Sequence, residues 1–223
     1  MESAVHSLEA RGLLAKFESP AGQAQLAVKR ALDVVFSAVG LLLLSPVLLL
    51  LALAVAADSR GPILYRWEVV GKGGRPFTGY KFRTMVQDAD RRKGELMEAN
   101  EMSGPVFKMR EDPRVTRLGR FMRSHSLDEL PQLWSVLVGH MSLVGPRPPL
   151  KTEWDRFTPH QRLKLSVTPG ITCLWQVEGR SGISDFDEWV RLDLEYIRNW
   201  SLWLDVKILL RTVLVVTSGQ GAY

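Results

Sequence analysis

Val34–Ala57 reads VVFSAVGLLLLSPVLLLLALAVAA, 24 residues without a charge. About twenty apolar residues suffice to cross a bilayer as a helix, so the simplest reading is one membrane span. A secretory signal fits less well, although Ala54-Val55-Ala56 resembles a small-residue cleavage site. The run is longer than a signal h-region, and about thirty residues come before it. Ser45-Pro46 falls at its midpoint. Proline lacks an N–H, and its ring collides with the carbonyl four residues earlier, here that of Leu42. The Ser45 hydroxyl can repair part of the broken hydrogen-bond ladder. Each half is then about twelve residues, roughly 18 Å of helix. A helix bent at Pro46 can enter one leaflet and return to the side it came from. Lys29 and Arg30 precede the run; Arg60, Arg66, Lys72 and Arg75 follow it. Positive residues favour the cytoplasm, so both flanks read as cytoplasmic. From these residues alone, a re-entrant hairpin and a kinked span both stay open.

Outside this run the chain has the composition of a globular domain. Its 223 residues leave room for one core beside an anchor. Lys and Arg number 29 against 24 Asp and Glu, a formal charge of +5. That excess fits nucleic acid, anionic lipid or phosphorylated substrates, and charge alone does not select among them. Cys173 is the only cysteine, which excludes an intrachain disulfide and is compatible with a reducing compartment. There is no fixed-period repeat and no low-complexity tract.

Residues 1–28 are polar and alanine-rich, suited to a weak helix or a disordered tail. Ile63 to Met85 reads as short extended pieces, with Gly71-Lys72-Gly73-Gly74-Arg75-Pro76 as the turn. Its glycines could cradle phosphate, but the spacing matches no P-loop, and a plain turn is the better account. Residues 86–102 read as helical, as do Leu127 to Val138, 151–165 and 185–199. Phe186, Trp189, Val190, Leu194 and Ile197 recur at helical spacing and read as packing rather than a cofactor box. Leu202 to Val216 is apolar with Asp205, Lys207 and Arg211 interspersed, and it suits a membrane interface or a buried core helix.

Asp128-Glu129, in Ser126-Leu127-Asp128-Glu129-Leu130-Pro131, is the acidic pair with chemical potential. Ser126 with Glu129 three residues on also has capping-box form, and acids in a first turn favour the helix dipole. By itself the pair is a helix start. Its surroundings are basic. Arg114, Arg117, Arg120 and Arg123 recur at intervals of three, a spacing that ordinarily marks a solvated face. Arg147 is fixed between Pro146 and Pro148. Guanidinium groups bind phosphate oxygens as a bidentate fork, and a carboxylate can attack phosphorus to give an acyl phosphate. Magnesium prefers oxygen ligands and would neutralise a diphosphate. Together these residues, beside a membrane segment, point to phosphate chemistry on a lipid. His125, His140, His160 and Cys173 show neither metal-ligand spacing nor a catalytic partner.

The same stretches resemble the bacterial sugar transferase family, the monotopic polyprenyl-phosphate phosphoglycosyl transferases. The resemblance runs from about Lys29 to Tyr223. It rests on Lys29-Arg30 with Asp33, on Ser45-Pro46, and on Tyr80-Lys81-Phe82-Arg83-Thr84-Met85. It continues through Asp112-Pro113-Arg114-Val115-Thr116-Arg117-Leu118-Gly119, the Asp128-Glu129 segment through Gln132, and Met141-Ser142-Leu143-Val144-Gly145-Pro146-Arg147-Pro148. Pro169-Gly170-Ile171-Thr172, Trp175-Gln176-Val177, Gly179-Arg180 and the closing Gly221-Ala222-Tyr223 complete it. The chain departs from the pattern at Trp67 and Val69, where the family often has Gln and Arg. It also departs at Ser124-His125, where a basic residue and Thr are common, and at Cys173, where Gly is common.

The resemblance implies a mostly helical α+β fold: a re-entrant membrane helix hairpin and a small cytoplasmic catalytic domain with short strands. The expected division is a tail over 1–28, the re-entrant helix over 29–58 and the catalytic domain with interfacial helices over 59–223. Some relatives carry an extra multi-span N-terminal region, and with few residues before position 29 this chain reads as the compact form. The implied reaction moves a sugar 1-phosphate from a UDP-sugar to undecaprenyl phosphate, releasing UMP, as the first membrane step of polysaccharide or glycoconjugate synthesis. Asp128 is the implied nucleophile, forming a phosphosugar-enzyme intermediate, and Glu129 joins it in binding magnesium or handling a proton. Lys81, Arg83, Arg123, Arg147 and Arg180 match basic positions that would hold phosphates or nucleotide. The expected location is the bacterial inner membrane, among lipids of its inner leaflet. Phosphate substrates and anionic lipid then account for the basic excess without nucleic acid, and a homo-oligomer stays open. The competing reading is a membrane-anchored, non-catalytic basic binding or scaffold module.

Overall fold

The computed structural model describes residues 11–179 and 182–218. Residues 11–18 are helical, and Ser19 then caps the next helix, α1 (Pro20–Leu43), its Oγ accepting from the Gly22 N–H at 3.0 Å. Pro20 in the first turn suits this start, because a first-turn N–H would be unpaired anyway. The helix thus begins nine residues upstream of Lys29. A second helix, α2 (Ser45–Asp58), follows at once. Among the described residues no single helix is long and apolar enough to cross a membrane; α1 and α2 meet that requirement only together, bent by 61°. The bend is where proline chemistry puts it. Pro46 cannot donate to the Leu42 carbonyl, and the Ser45 hydroxyl donates to that oxygen instead, at 2.7 Å.

Val35, Phe36, Leu42, Leu43, Leu49, Leu50 and Leu53 on this pair are exposed. That is far more bare apolar surface than a protein normally shows to water. Each helix is fastened to the remainder of the chain, α1 at its middle and α2 at its outer end. On α1, Lys29 reaches the Val144 carbonyl at 3.0 Å, Arg30 donates to the carbonyls of Val136 and Leu137 at 2.6 and 2.8 Å, and Asp33 accepts from the Leu143 N–H at 3.0 Å. On α2, Arg83 donates to the carbonyls of Ser59 and Pro62 and, at 3.3 Å, to that of Val55.

β1 (Leu64–Val70) and β2 (Pro76–Phe82) form an antiparallel hairpin, in register from Leu64 opposite Phe82 to Val70 opposite Pro76. The glycine-rich segment is the turn, with Gly73 and Gly74 at φ 66° and 81°. Next come α3 (Arg117–Ser124), a 3₁₀ turn over Leu127–Glu129 and α4 (Gln132–Leu137). β3 (Ser142–Val144) pairs in parallel with β4 (Gly170–Thr172). The chain then runs through α5 (Leu174–Glu178), α6 (Phe186–Asn199) and α7 (Leu202–Ser218).

The expectation of a mostly helical chain with short strands holds, but three expected helices are fragmented. Leu127 to Val138 breaks around Pro131, which splits a 3₁₀ turn from α4. Residues 151–165 become the single turns Lys151–Trp154 and Pro159–Arg162 followed by a 3₁₀ turn, because Pro159 needs a fresh start capped by Thr158. Residues 86–102 shorten to Ala89–Arg92 and a 3₁₀ turn over Gly94–Ala99, with Gly94 at the junction.

The main core lies around α6. Trp189 stacks on Trp175 at 4.1 Å between ring centroids, with Phe186, Val190, Ile197 and Ile208 buried around them. A smaller cluster of Val55, Phe82 and Met122 joins α2, β2 and α3 beneath the acidic pair. Ile208 turns inward from α7, while Trp203, Leu210, Val213 and Leu214 remain bare. Asp193 is fully buried and ion-paired with Lys164 at 2.6 Å.

Candidate active site

Asp128 and Glu129 close the 3₁₀ turn that follows α3. The capping box read at Ser126 does not form. Ser126 has φ 53° and ψ 23°, and its side chain makes no cap hydrogen bond. It is the only non-glycine residue at positive φ among the described residues. Such a conformation is strained in an L-residue and persists only when the surroundings impose it. It reverses the chain after α3, so that Asp128 points into the protein and Glu129 reaches across to β2.

Asp128 is 7% exposed. Burial, then the adjacent Glu129 charge, push its carboxyl up to about 6, against the opposing pull of Lys81 and Arg123. Glu129 forms an ion pair with Lys81 Nζ. Lys81 comes from β2, and its ammonium also lies 4.3 Å from the centroid of the Trp67 ring on β1. Arg123 comes from the last turn of α3 and donates from Nε to Thr84 Oγ1 at 2.9 Å. Two carboxylates and two cations thus meet at the junction of the hairpin and α3.

The other expected phosphate contacts lie elsewhere. The Arg83 guanidinium is occupied by the carbonyls at the end of α2. Arg147 sits 3.8 Å from Glu153. Arg180 lies outside the described residues. The arginine series divides: Arg117 and Arg120 are exposed as a solvated face should be, whereas Arg114 is buried in a bidentate pair with Asp112. His125 is held locally by Ser124 Oγ and the Phe121 carbonyl, at 2.9 and 3.0 Å. The Cys173 thiol is buried, which pushes it well up and leaves it no nucleophile at neutral pH. Thr84 and Trp67 were not assigned by sequence reasoning. Thr84 lies inside the Tyr80–Met85 motif, and Trp67 was visible only as a departure from the family pattern.

Among the described residues no group of three or more His, Cys, Asp or Glu could enclose a metal. Asp128 and Glu129 nonetheless suit magnesium, which commonly takes one or two protein carboxylates and completes its shell with water and substrate phosphate. A bound divalent ion would also offset the mutual repulsion of the pair. A cavity of about 200 Å³ opens beside Glu129, with Leu127, Leu130, Ile171, Val177 and Val216 in its wall. The arrangement brings together a buried carboxyl, a second carboxylate and two cations.

Residues 24–219 match a family model described as bacterial sugar transferase. The galactosyl transferase CpsE of Streptococcus agalactiae is 47% identical over 197 residues, covering 88% of this chain and 44% of the relative. The UDP-glucose:undecaprenyl-phosphate glucose-1-phosphate transferase of Escherichia coli is 38% identical over 214 residues, covering 93% and 44%. The exopolysaccharide production protein ExoY of Rhizobium meliloti is 38% identical over 199 residues, covering 87% and 88%. The chain therefore spans less than half the length of the first two relatives and most of the third.

Proposed function

The chain belongs to the bacterial sugar transferase family, and on that premise we propose that it transfers a sugar 1-phosphate from a UDP-sugar to undecaprenyl phosphate. The products are UMP and an undecaprenyl diphosphate sugar, the first membrane-bound intermediate of a bacterial polysaccharide or glycoconjugate. The observation that carries this reading is the buried Asp128 carboxylate beside Glu129, under the charges of Lys81 and Arg123.

An Asp128 oxygen attacks the phosphorus that bears the sugar. The bond from that phosphorus to the bridging oxygen breaks, UMP departs with the oxygen, and a phosphosugar-aspartyl acyl phosphate remains. An oxygen of undecaprenyl phosphate then attacks the same phosphorus and frees the Asp128 carboxylate. Lys81 and Arg123 supply positive charge where phosphate oxygens gather it in the transition state. Asp128 and Glu129 would hold magnesium, which when bound neutralises the diphosphate. Arg147 and Arg180 are candidates for nucleotide contacts by family resemblance alone.

The bent pair α1–α2 is the proposed re-entrant element, in the inner leaflet with the catalytic domain on the cytoplasmic face. Both of its arms are tied to one globular body, by Lys29, Arg30 and Asp33 at the middle of α1 and by Arg83 at the end of α2. Single cysteines before Lys29 and after Arg60 are expected to label from the cytoplasmic side only; labelling of one of them from outside would refute the hairpin.

The deciding experiment is UMP release by purified protein with magnesium and undecaprenyl phosphate, across a panel of UDP-sugars. One sugar should support release, and Asp128→Asn should abolish it. A fully active Asp128→Asn enzyme removes the nucleophile assignment; no release from folded protein with any sugar favours the scaffold reading.

A further inference from the structure

Trp67 stands directly opposite Gly79 in the hairpin, and Lys81 lies two residues beyond Gly79 on the same face of β2. A Cβ at position 79 would come within 2.2 Å of the indole Nε1. The glycine is therefore what allows the ring to lie flat across the neighbouring strand. In that position Trp67 is 8% exposed, and its ring face meets the Lys81 ammonium at 4.3 Å from the centroid. Lys81 in turn pairs with Glu129. The indole N–H is buried with no acceptor among the described residues, a cost that a phenyl ring or an aliphatic side chain would avoid. What tryptophan offers in return is the most attractive aromatic face for a cation.

We propose that Trp67 is a positioning residue for the transfer reaction. Its ring face holds the Lys81 ammonium against Glu129, and Gly79 provides the space that makes this possible. The proposal rests on the reading of Asp128 and Glu129 as the reacting pair. A lysine chain has four rotatable bonds and a strongly hydrated head, so without a surface to lie on its ammonium would spread over many positions. Fixed between a ring and a carboxylate, it presents its remaining donors in one direction, toward an incoming phosphate. Trp67 itself touches neither phosphate nor carboxylate in this account; it acts through Lys81.

The test measures kcat/KM for the UDP-sugar in Trp67 and Lys81 variants, singly and combined. Trp67→Leu should lower it about tenfold, the worth of a partly desolvated cation–π contact, and Trp67→Phe should lose less. In a Lys81→Met background, Trp67→Leu should cause no further loss, because its effect travels through the absent ammonium. Replacing Trp67 with 5-fluoro- and 5,7-difluorotryptophan keeps the shape and drains the ring face, so the rate should fall stepwise with fluorination. This last series stays decisive if Trp67→Leu does not fold. Rates unchanged across the fluorinated forms, or an equal further loss in the Lys81→Met background, would overturn the proposal. An inactive Asp128→Asn enzyme alongside such results would sink the role of Trp67 alone; an active one would remove the reading beneath it.

Discussion

Lys29 Nζ lies 2.5 Å from Asp205 Oδ2, joining α1 to α7 across the body of the protein. Asp205 also accepts from Tyr196 Oη at 2.7 Å and from Trp200 Nε1 at 3.2 Å. The pair is largely removed from solvent, so deleting one partner strands a charge. Lys29→Met should destabilise the protein by about 3 kcal/mol, near the lower end for a broken buried pair because Tyr196 and Trp200 still solvate the carboxylate. Thermal unfolding in detergent would measure this, and Lys29→Met combined with Asp205→Leu should recover part of the loss.

Asp112 carries a pH dependence whose sign is fixed by its surroundings. Burial works to raise its carboxyl, but the Arg114 guanidinium and the Arg114 backbone N–H outweigh it and hold the group below the usual carboxylate range. A lowered folded-state value means stability that is present above about pH 4, the unfolded value, and lost as the pH falls through the folded one. At pH 7, Asp112→Asn should be less stable than the parent by about 2 kcal/mol. In acid titrations followed by circular dichroism, the gap should close below about pH 4; a gap constant to pH 2 would contradict this account.

Gly119 is where α3 crosses residue 84. A Cβ there would lie 2.1 Å from the Thr84 carbonyl oxygen, and neither backbone can yield cheaply. Gly119→Ala should cost about 1–3 kcal/mol of stability through overpacking. Because Thr84 Oγ1 receives the Arg123 N–H, the shift should reach the acidic pair. UMP release, assayed where the variant remains folded, should fall on the order of tenfold to a hundredfold.

Ser126 holds the left-handed turn that aims Asp128 inward. A β-branched side chain tolerates this conformation poorly, so Ser126→Val should destabilise by about 1–2 kcal/mol and lower turnover. Ser126→Asn and Ser126→Gly should keep activity, since both residues accept positive φ. Equal turnover in all three variants would show that the turn does not set the geometry of the pair.

Local chemistry made much of this legible. The bend at Pro46, with Ser45 serving the Leu42 carbonyl, follows from the chemistry of one imino acid and one hydroxyl. The strands β1 and β2 match the short extended pieces read on either side of the glycine-rich turn, and α6 matches its apolar spacing. Three things were not legible, because each depends on a partner distant in sequence. Ser126 and Glu129 have the spacing of a cap, yet Lys81, 48 residues away, draws Glu129 off the helix. Arg83 looks like a phosphate ligand in its motif, but the free carbonyls at the end of α2 take it first. Arg114 belongs by spacing to a solvated face, and only the fold brings Asp112 and the Ala89 carbonyl around it. The acidic pair was singled out from residue type and context; the burial of Asp128 depends on distant packing and was not legible there.

If the bent pair enters and leaves one leaflet as proposed, its fastening at the middle of α1 and the end of α2 makes it a depth gauge. The 14 residues of α2 measure roughly 21 Å along its axis, and the carbonyl of its C-cap residue Ser59 is gripped by Arg83, just past the end of β2. On the proposed re-entrant reading, the height at which the carboxylates ride above the lipid headgroups would be set by a helix length rather than by diffusion of a tethered domain. On that same proposal, shortening α2 by one helical turn would draw the site about 5 Å toward the bilayer, and lengthening it would lift the site away from the proposed lipid phosphate.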